Sequence, residues 1–283
     1  MITAHLGNNG CNRVDVVFDC YDKEDSIKEA ERARRGSSSS FEVRISGPST
    51  PVPKKWQNFI SNPVNKTNLK AFLGSTWKEM AKTRLAGDQK LVLAGCFTHS
   101  DDTFAITQNQ ETPLLHLSSD HEEADTRMLL HASDCSRDHQ RIVVQSPDTD
   151  VAALCVYACN MINAQQLWFR TGVKDKLHFL SAHRLAEKLG EDLCRLIPSF
   201  HALTGCDSTS ALYQIGKRKA WKALLQTKDV YVDLAGLGDN VPPLQSVVKT
   251  AEAFISSLYA IPSRAGTTAD DVRYTHGQII NFM

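Results

Sequence analysis

The sequence predicts an α/β fold in which a central, mainly parallel sheet is flanked by helices. Short apolar runs of strand length alternate with longer segments of helical periodicity. Two of the apolar runs are followed by aspartates. This placement is typical of strands that carry functional groups at the carboxyl edge of a parallel sheet. The composition agrees, because 42% hydrophobic and 23% charged residues are ordinary values for a globular chain.

The elements follow in chain order. The run VDVVF at 14–18 predicts a buried strand that ends at Asp19. Residues 22–36 place acids before bases among good helix formers, which predicts an exposed helix. GSSSS and the proline-containing segment after it predict a loop-like insertion or hinge at 36–53. From 68 to 85, apolar residues recur at helical spacing and predict an amphipathic helix. Further strands are predicted at 90–97, 141–146, 166–170 and 176–180, and further helices at 121–133, 181–196, 217–226 and 244–260.

The charges are distributed unevenly although the net charge is zero. Residues 91–160 contain 3 basic and 11 acidic side chains, whereas residues 1–90 contain 15 basic and 10 acidic ones. An acidic centre between basic flanks suits a metal cluster bordered by a phosphate-binding surface. Ordinary solvated charge would give the same pattern.

Cysteine spacing and hydropathy indicate the redox state of the thiols and the cellular location of the protein. The eight cysteines form no paired CxxC sets, which argues against a zinc finger and predicts reduced thiols. The sequence shows neither a signal-peptide pattern nor an apolar run of membrane-spanning length. We therefore expect an intracellular protein without a membrane partner.

Six carboxylates stand where this fold would gather functional groups. They follow a strand, begin a helix or occupy a glycine-containing turn, and they are Asp19, Glu123, Asp125, Asp148, Asp150 and Asp207. So many anions together would repel unless cations compensate them, and Mg²⁺ prefers oxygen ligands. A pair of such ions can activate water and stabilise the leaving oxygen of a phosphodiester.

Each motif also has a purely structural interpretation. Glu123 and Asp125 could act only as acids near a helix dipole. Asp148 and Asp150 could form a turn with an N-cap, and Asp207 could be an N-cap as well. Only the ordered combination points to a metal site.

The combination resembles the flap-endonuclease and XPG-like branch of the PIN-domain nucleases. The motifs that carry the resemblance are VVFDCYD, EEADTR, SPDTD and LTGCDSTS. It implies that the six carboxylates bind two Mg²⁺ or Mn²⁺ ions and cut DNA or RNA near flaps and junctions between single strand and duplex. Such a substrate leads us to expect a nuclear rather than a cytoplasmic location. The same set of motifs is similar to motifs of uncharacterised animal proteins, and we expect those proteins to derive from mobile elements.

Two basic segments extend the resemblance to nucleic-acid contacts. The helix after the first motif, with Lys28, Arg32 and Arg35, resembles the family segment that leads into a mobile arch. After Asp207, ALYQIGKRKAWKAL resembles a shortened helix-hairpin-helix, in which Gly216, Lys217 and Lys219 would contact duplex backbone. A solvated helix is the alternative for the first segment.

The resemblance predicts domain limits for the chain, and the chain also differs from the family pattern at two places. It gives a nuclease domain at 1–226 with an arch-like insertion at 36–66, followed by a helical extension at 227–283. Family members have an earlier strand with another metal-binding Asp. We expect this chain to begin after that strand and its two-metal site to be incomplete. Asp125 also stands where the family has Glu. We therefore keep a catalytically silent domain that binds nucleic acid or protein as the alternative. A HAD-type phosphohydrolase is disfavoured, because SPDTD does not follow the first strand.

Overall fold

The computed structural model describes residues 10–20 and 41–259, which divide into two compact units. The first unit comprises the described residues up to Val144 together with Ile162–Ala164. The second comprises Gln145–Met161 and the residues from Gln165 onward. The predicted helix at 22–36, with Lys28, Arg32 and Arg35, lies outside the described residues.

A four-stranded sheet forms the centre of the first unit. Its strands lie in the order β1-β2-β3-β4 and span Arg13–Val17, Lys90–Ala94, Thr103–Ile106 and Glu111–Pro113. β1 pairs with β2 in parallel, and the other two pairs are antiparallel. The sheet is anchored by β2, whose last four residues are buried. Continuous burial on both faces explains why its sequence is an unbroken apolar run.

Among the described residues of this unit, three helices accompany the sheet, namely α1 (Trp56–Ser61), α2 (Pro63–Arg84) and α3 (Ala124–Cys135). The start of α2 is defined by Asn62, whose side chain accepts from the Val64 and Asn65 amides, and by Pro63 at the first position. One apolar cluster joins α2 to the sheet through Ala81, Leu85, Leu91, Leu93, Cys96 and Ile106. The first unit therefore has its own core.

The second unit is mostly helical. Strand β5 (Arg141–Gln145) ends where this unit begins, and β6 (Gln166–Thr171) pairs antiparallel with β7 (His178–Ser181). Its helices are α4 (Asp150–Ala158), α5 (Ala182–Leu189), α6 (Glu191–Leu203), α7 (Lys217–Gln226) and α8 (Gln245–Leu258). A second apolar cluster joins α6, α7 and α8 through residues that include Leu196, Leu224 and Phe254.

The α/β class is confirmed, and the mainly parallel sheet is corrected. The described part of the chain contains mixed pairing, with antiparallel pairs at β2–β3, β3–β4 and β6–β7. Only residues 95–102 connect β2 to β3, which is too short for the helical crossover that a parallel pair needs. β3 and β4 were missed because they are short and lack a long apolar run.

One helix boundary differs from the sequence prediction. The helix expected at 181–196 is two helices, because Gly190 adopts a φ of 80° between them and ends the first. The predicted extension from 227 is helical in its described part, but Tyr231, Leu234 and Phe254 share the core of α6 and α7. Contacts divide the chain into compact units near 144. The predicted domain limits of 1–226 and 227–283 stay a prediction.

No helix in the described ranges combines the length and the apolar character that crossing a bilayer requires.

Candidate functional site

Asp19 lies two residues beyond β1 and contacts the start of α3. One of its carboxylate oxygens, Oδ1, accepts a hydrogen bond from the Ala124 amide at 2.8 Å. Next to it, the Cys20 amide donates to the Glu122 carbonyl at 2.7 Å. The structure thus joins two of the predicted motif segments, which are 105 residues apart in sequence.

The start of α3 places both of its predicted acids beside this contact. Glu123 is the N-cap residue, but its side chain makes no capping hydrogen bond. Asp125 lies in the first turn. Ala124, whose amide bonds Asp19, stands between them in the sequence, so all three acids belong to or contact the first turn of one helix, where the helix dipole is positive. Their position agrees both with acids that only interact with the helix dipole and with acids that bind a metal ion.

Behind this contact, a network of charged side chains clamps β1 to α3. Arg13 donates from Nε and Nη2 to the two Asp15 oxygens at 2.7 and 2.8 Å, and His131 Nδ1 donates to Asp15 at 2.7 Å. Arg13 also reaches Asp134 at 2.8 Å. Burial would raise the pKa of Asp15, but the hydrogen bonds from His131 and Arg13 outweigh it and hold that pKa below its usual value. Asp15 is therefore ionised and bridges the two elements.

Arg127 brings a buried cation under the same region. Its side chain is fully buried, and Nη1 donates to the Cys20 sulfur at 2.7 Å and to the Ser100 carbonyl at 3.1 Å. Its Nε and Nη2 have no hydrogen-bond partner among the described residues. Gly95 makes room for this packing with a φ of 81°, because an added Cβ would lie 2.6 Å from the Phe18 carbonyl oxygen.

A pocket of about 250 Å³ opens beside Asp19. It is lined by Val17, Phe18, Asp19, Lys66, Leu69, Lys70, Leu73 and Ala124. Lys70 is buried and its Nζ donates to the Asp19 carbonyl oxygen at 3.2 Å. The sequence analysis missed both lysines. The position of Lys70 on the predicted amphipathic helix, between Leu69 and Leu73, could have indicated it, whereas Lys66 precedes the predicted start at 68.

In the second unit, Asp148 and Asp150 follow β5 as predicted, but Asp148 has a local structural role. The Asp148 amide donates to Ser146 Oγ at 3.1 Å. Asp148 Oδ1 accepts from the Asp150 amide at 2.8 Å. This is the turn that the structural interpretation expected at the start of α4. A carboxylate has further lone pairs, so this bond leaves it able to bind a cation.

His201, near the end of α6, contacts Asp150 and was not predicted. Its Nε2 lies 3.4 Å from Asp150 Oδ2, and its Nδ1 lies 2.8 Å from Lys217 Nζ. The Lys217 ammonium can only donate, so Nδ1 is the acceptor and the Nε2 proton points to Asp150. A histidine four residues before the GCD motif was the available signal.

Asp207 occupies an exposed turn after α6. The Cys206 and Thr209 backbones form an isolated bridge, and Thr209 Oγ1 donates to the Ala202 carbonyl at 2.7 Å. The N-cap interpretation of Asp207 is wrong, because the next helix, α7, begins only at Lys217.

The predicted helix-hairpin-helix residues lie at the start of α7. Gly216 is its N-cap residue, and Lys217 and Lys219 are exposed in its first turn. Residues 204–216 connect α6 to α7, so this connection is longer than a tight hairpin turn. The structure therefore leaves the helix-hairpin-helix a prediction.

The donor chemistry of these carboxylates fits Mg²⁺ or Mn²⁺. Across residues 10–20 and 41–259, however, no three His, Cys, Asp or Glu side chains are grouped so that they could hold a metal ion. Mg²⁺ does not need such a cage, because it commonly binds one or two carboxylates and completes its shell with waters and substrate phosphate. The oxygen donors of each unit are thus suitable, but they do not form a closed site.

Comparison with protein-family models, curated proteins and solved structures found no match for this chain.

Proposed function

We propose that this chain is a divalent-metal-dependent nuclease of the PIN-like, flap-endonuclease type that hydrolyses phosphodiesters of DNA or RNA at junctions. The observation that carries the proposal is the hydrogen bond from the Ala124 amide to Asp19. It joins the VVFDCYD and EEADTR motifs, as a shared metal-binding function of these two segments would require.

The proposed metal ligands are the six carboxylates of the four motifs. Asp19, Glu123 and Asp125 belong to the first unit, and Asp148, Asp150 and Asp207 to the second. When bound, Mg²⁺ or Mn²⁺ would supply a water of lowered pKa and compensate charge on the leaving oxygen. The chain's own contribution is to fix the carboxylates, and the buried network of Arg13, Asp15 and His131 serves this purpose behind Asp19.

Nucleic acid is the proposed partner. Lys217 and Lys219 are exposed, and the amides at the start of α7 have the geometry that favours a phosphate. Lys28, Arg32 and Arg35 are proposed to add phosphate contacts. A substrate of this kind is consistent with action in the nucleus.

The direct test is cleavage of a fluorescent splayed-arm DNA in Mg²⁺ or Mn²⁺ by the wild type and by three variants. We expect Asp19→Asn and Asp150→Asn each to lower the rate at least about a hundredfold, since even changes behind metal ligands cost about ten- to a hundredfold. Asp175→Asn is the matched control, because Asp175 is an exposed acid outside the motifs. If Asp19→Asn and Asp150→Asn cut as fast as Asp175→Asn, the proposed site is wrong.

A second candidate function is binding of nucleic acid without cleavage. It is favoured by the use of Asp148 as a turn acceptor and by the lack of a three-ligand group among the described residues. Binding that falls with salt, persists in EDTA and yields no products at any metal concentration would support it over the nuclease.

A further inference from the structure

Thr50 lies in an accessible loop of the first unit and directly precedes a proline. Residues 41–55 contain no helix or strand, and Pro51 and Val52 are exposed. A residue that precedes proline is kept out of the helical region, so Pro51 favours an extended backbone at Thr50, and Pro53 does the same at Val52. Protein kinases bind the segment around a substrate hydroxyl in such an extended form.

The structure distinguishes Thr50 from the other hydroxyl residues that precede a proline. The sequence contains three such dipeptides, which are Thr50-Pro51, Thr112-Pro113 and Ser146-Pro147. Thr112 belongs to β4 and pairs with Ala105 of β3. Ser146 is only 6% exposed, and its Oγ accepts a hydrogen bond from the Asp148 amide at 3.1 Å. Thr50 can therefore enter a kinase active site without the opening of a strand or of the core.

Two backbone amides converge on the hydroxyl oxygen of Thr50. Its Oγ1 accepts from the Ser46 amide at 3.1 Å and from the Gly47 amide at 3.2 Å. The Thr50 amide donates to the Gly47 carbonyl at 3.0 Å and closes the turn. Neighbouring amides that point at one position form an anion-binding concavity. Phosphate oxygens are stronger acceptors than a hydroxyl, so the same two amides suit a phosphate on Thr50.

The charges around Thr50 in the sequence also favour a phosphate. Arg44, Lys54 and Lys55 are basic and exposed, whereas Glu42 is the one acid between residues 41 and 55. A phosphothreonine carries a charge of about −1.5 to −2 at neutral pH, which nearly balances the net charge of this segment.

We propose that Thr50 is phosphorylated by a proline-directed Ser/Thr kinase and that the Ser46 and Gly47 amides hold the phosphate. In the transfer, the Thr50 oxygen forms a bond to the γ-phosphorus of ATP as the bond from that phosphorus to the β,γ-bridging oxygen breaks. The hydroxyl proton passes to the catalytic base of the kinase, and ADP leaves. The inference is independent of the proposed nuclease function, because neither metal-binding motif nor nucleic acid enters it.

The test incubates the full chain with a purified cyclin-dependent kinase and ATP-Mg²⁺, and mass spectrometry of tryptic peptides gives the initial rate at each hydroxyl. Phosphate should enter at Thr50 at least about tenfold faster than at Thr112 or Ser146. Release of Thr112 would break backbone hydrogen bonds of β4 and its ends, such as that from the Leu114 amide to the Thr103 carbonyl at 2.8 Å. Each such bond changes an equilibrium roughly fivefold, so the loss of two exceeds tenfold.

Matched variants separate the site from its neighbours. Thr50→Ala and Pro51→Ala should each remove most of the incorporated phosphate. Ser49→Ala and Thr112→Ala should leave it unchanged, because the first removes a neighbouring hydroxyl that no proline follows and the second removes a paired one. The proposed site is overturned if Thr50 receives no phosphate, or if Thr112 receives it as fast as Thr50.

Hydrogen exchange, followed by NMR before and after phosphorylation, tests whether the two amides hold the phosphate. The Ser46 and Gly47 amides should exchange at least about fivefold more slowly in the phosphorylated chain, because a charged acceptor replaces a neutral one. The Val43 amide is the internal control, since it donates to Asn65 Oδ1 at 2.7 Å and should keep its rate. Unchanged or faster exchange at Ser46 and Gly47 would overturn their proposed role.

Discussion

Replacing Asp15 by Asn should destabilise the first unit strongly, because Asp15 is the shared acceptor of two buried cationic or polar donors. Arg13 donates to both of its oxygens and His131 Nδ1 donates to one of them, all within 2.8 Å. The side chains of Arg13, Asp15 and His131 are 4%, 11% and 3% exposed. An asparagine would keep the shape but lose the charge, and its NH₂ group would face donors on the other residues.

The expected loss of unfolding free energy depends on the burial of the ion pair and on the contact that Arg13 retains with Asp134. Removing one member of a buried ion pair costs about 3–5 kcal/mol, because the remaining charge is left uncompensated. Arg13 would still contact Asp134 at 2.8 Å, which places the expected loss near the lower end, at about 3 kcal/mol. The exposed pair between Lys82 and Glu79 gives the contrast, since such pairs contribute about 0.5 kcal/mol or less.

Urea denaturation followed by circular dichroism measures the loss, with Glu79→Gln as the control that also removes one acid from an ion pair. Equal slopes of unfolding free energy against urea concentration would show that Asp15→Asn and the wild type unfold in the same way. Hydrogen exchange of peptides from β1 and α3 would locate the effect. A loss below about 1 kcal/mol for Asp15→Asn, or one no larger than that of Glu79→Gln, would refute the assigned role of the network.

The same network gives a stability that depends on pH. Burial alone would raise the pKa of Asp15, but the His131 and Arg13 contacts hold it below its usual range. A depressed folded-state pKa stabilises the protein above the unfolded-state pKa, near 4, and that contribution is lost as pH falls through the folded-state value. The difference in free energy of unfolding between wild type and Asp15→Asn should therefore be full at pH 6 and should shrink below about pH 4. A difference that stays constant down to pH 2 would contradict this sign.

Three other changes have expected outcomes. Gly95→Ala should lower the free energy of unfolding by about 1–3 kcal/mol in urea titrations, because φ is 81° and the new Cβ would lie 2.6 Å from the Phe18 carbonyl oxygen. Asn62→Ala should cost about 1 kcal/mol in the same assay through loss of the α2 cap. Iodoacetamide at pH 8 should alkylate Cys206 well before Cys155, as mass spectrometry of tryptic peptides would show. Burial raises the pKa of Cys155 to about 12. Burial would also raise the pKa of Cys206, but hydrogen bonds from the Ser208 side chain and from the Ser208 and Thr209 backbone lower it below its usual value.

Elements with one strong periodicity could be predicted from the sequence, and short or antiparallel ones could not. The limits of α7 were predicted at 217–226 and agree with the structure, because its apolar face and its basic first turn are both regular. β4 has three residues, with exposed Thr112 and Pro113, so it offers no apolar run to detect. Its pairing depends on β3, which is tertiary information.

Some contacts of the candidate site could likewise be predicted from the sequence, and others could not. Asp19 and the start of α3 could be expected to meet, because a strand end and a helix start carry the motifs. The contact of His201 with Asp150 could not, since it depends on how α4 and α6 pack within the second unit. The network of Arg13, Asp15 and His131 was also missed, because a charged residue inside a short strand appears solvent-facing until its buried partners are known.

The helix α3 has 12 residues and holds two attachments at fixed positions along its length. Its first residue bonds Asp19, and His131, two turns later, bonds Asp15. Inserting or deleting a single residue between them would rotate one attachment by about 100° relative to the other, so both bonds to β1 could not form at once. The turn at Thr107–Gln110 has no such double attachment. Length variation among natural or engineered versions of this protein should therefore collect in that turn and be excluded from the segment between Ala124 and His131.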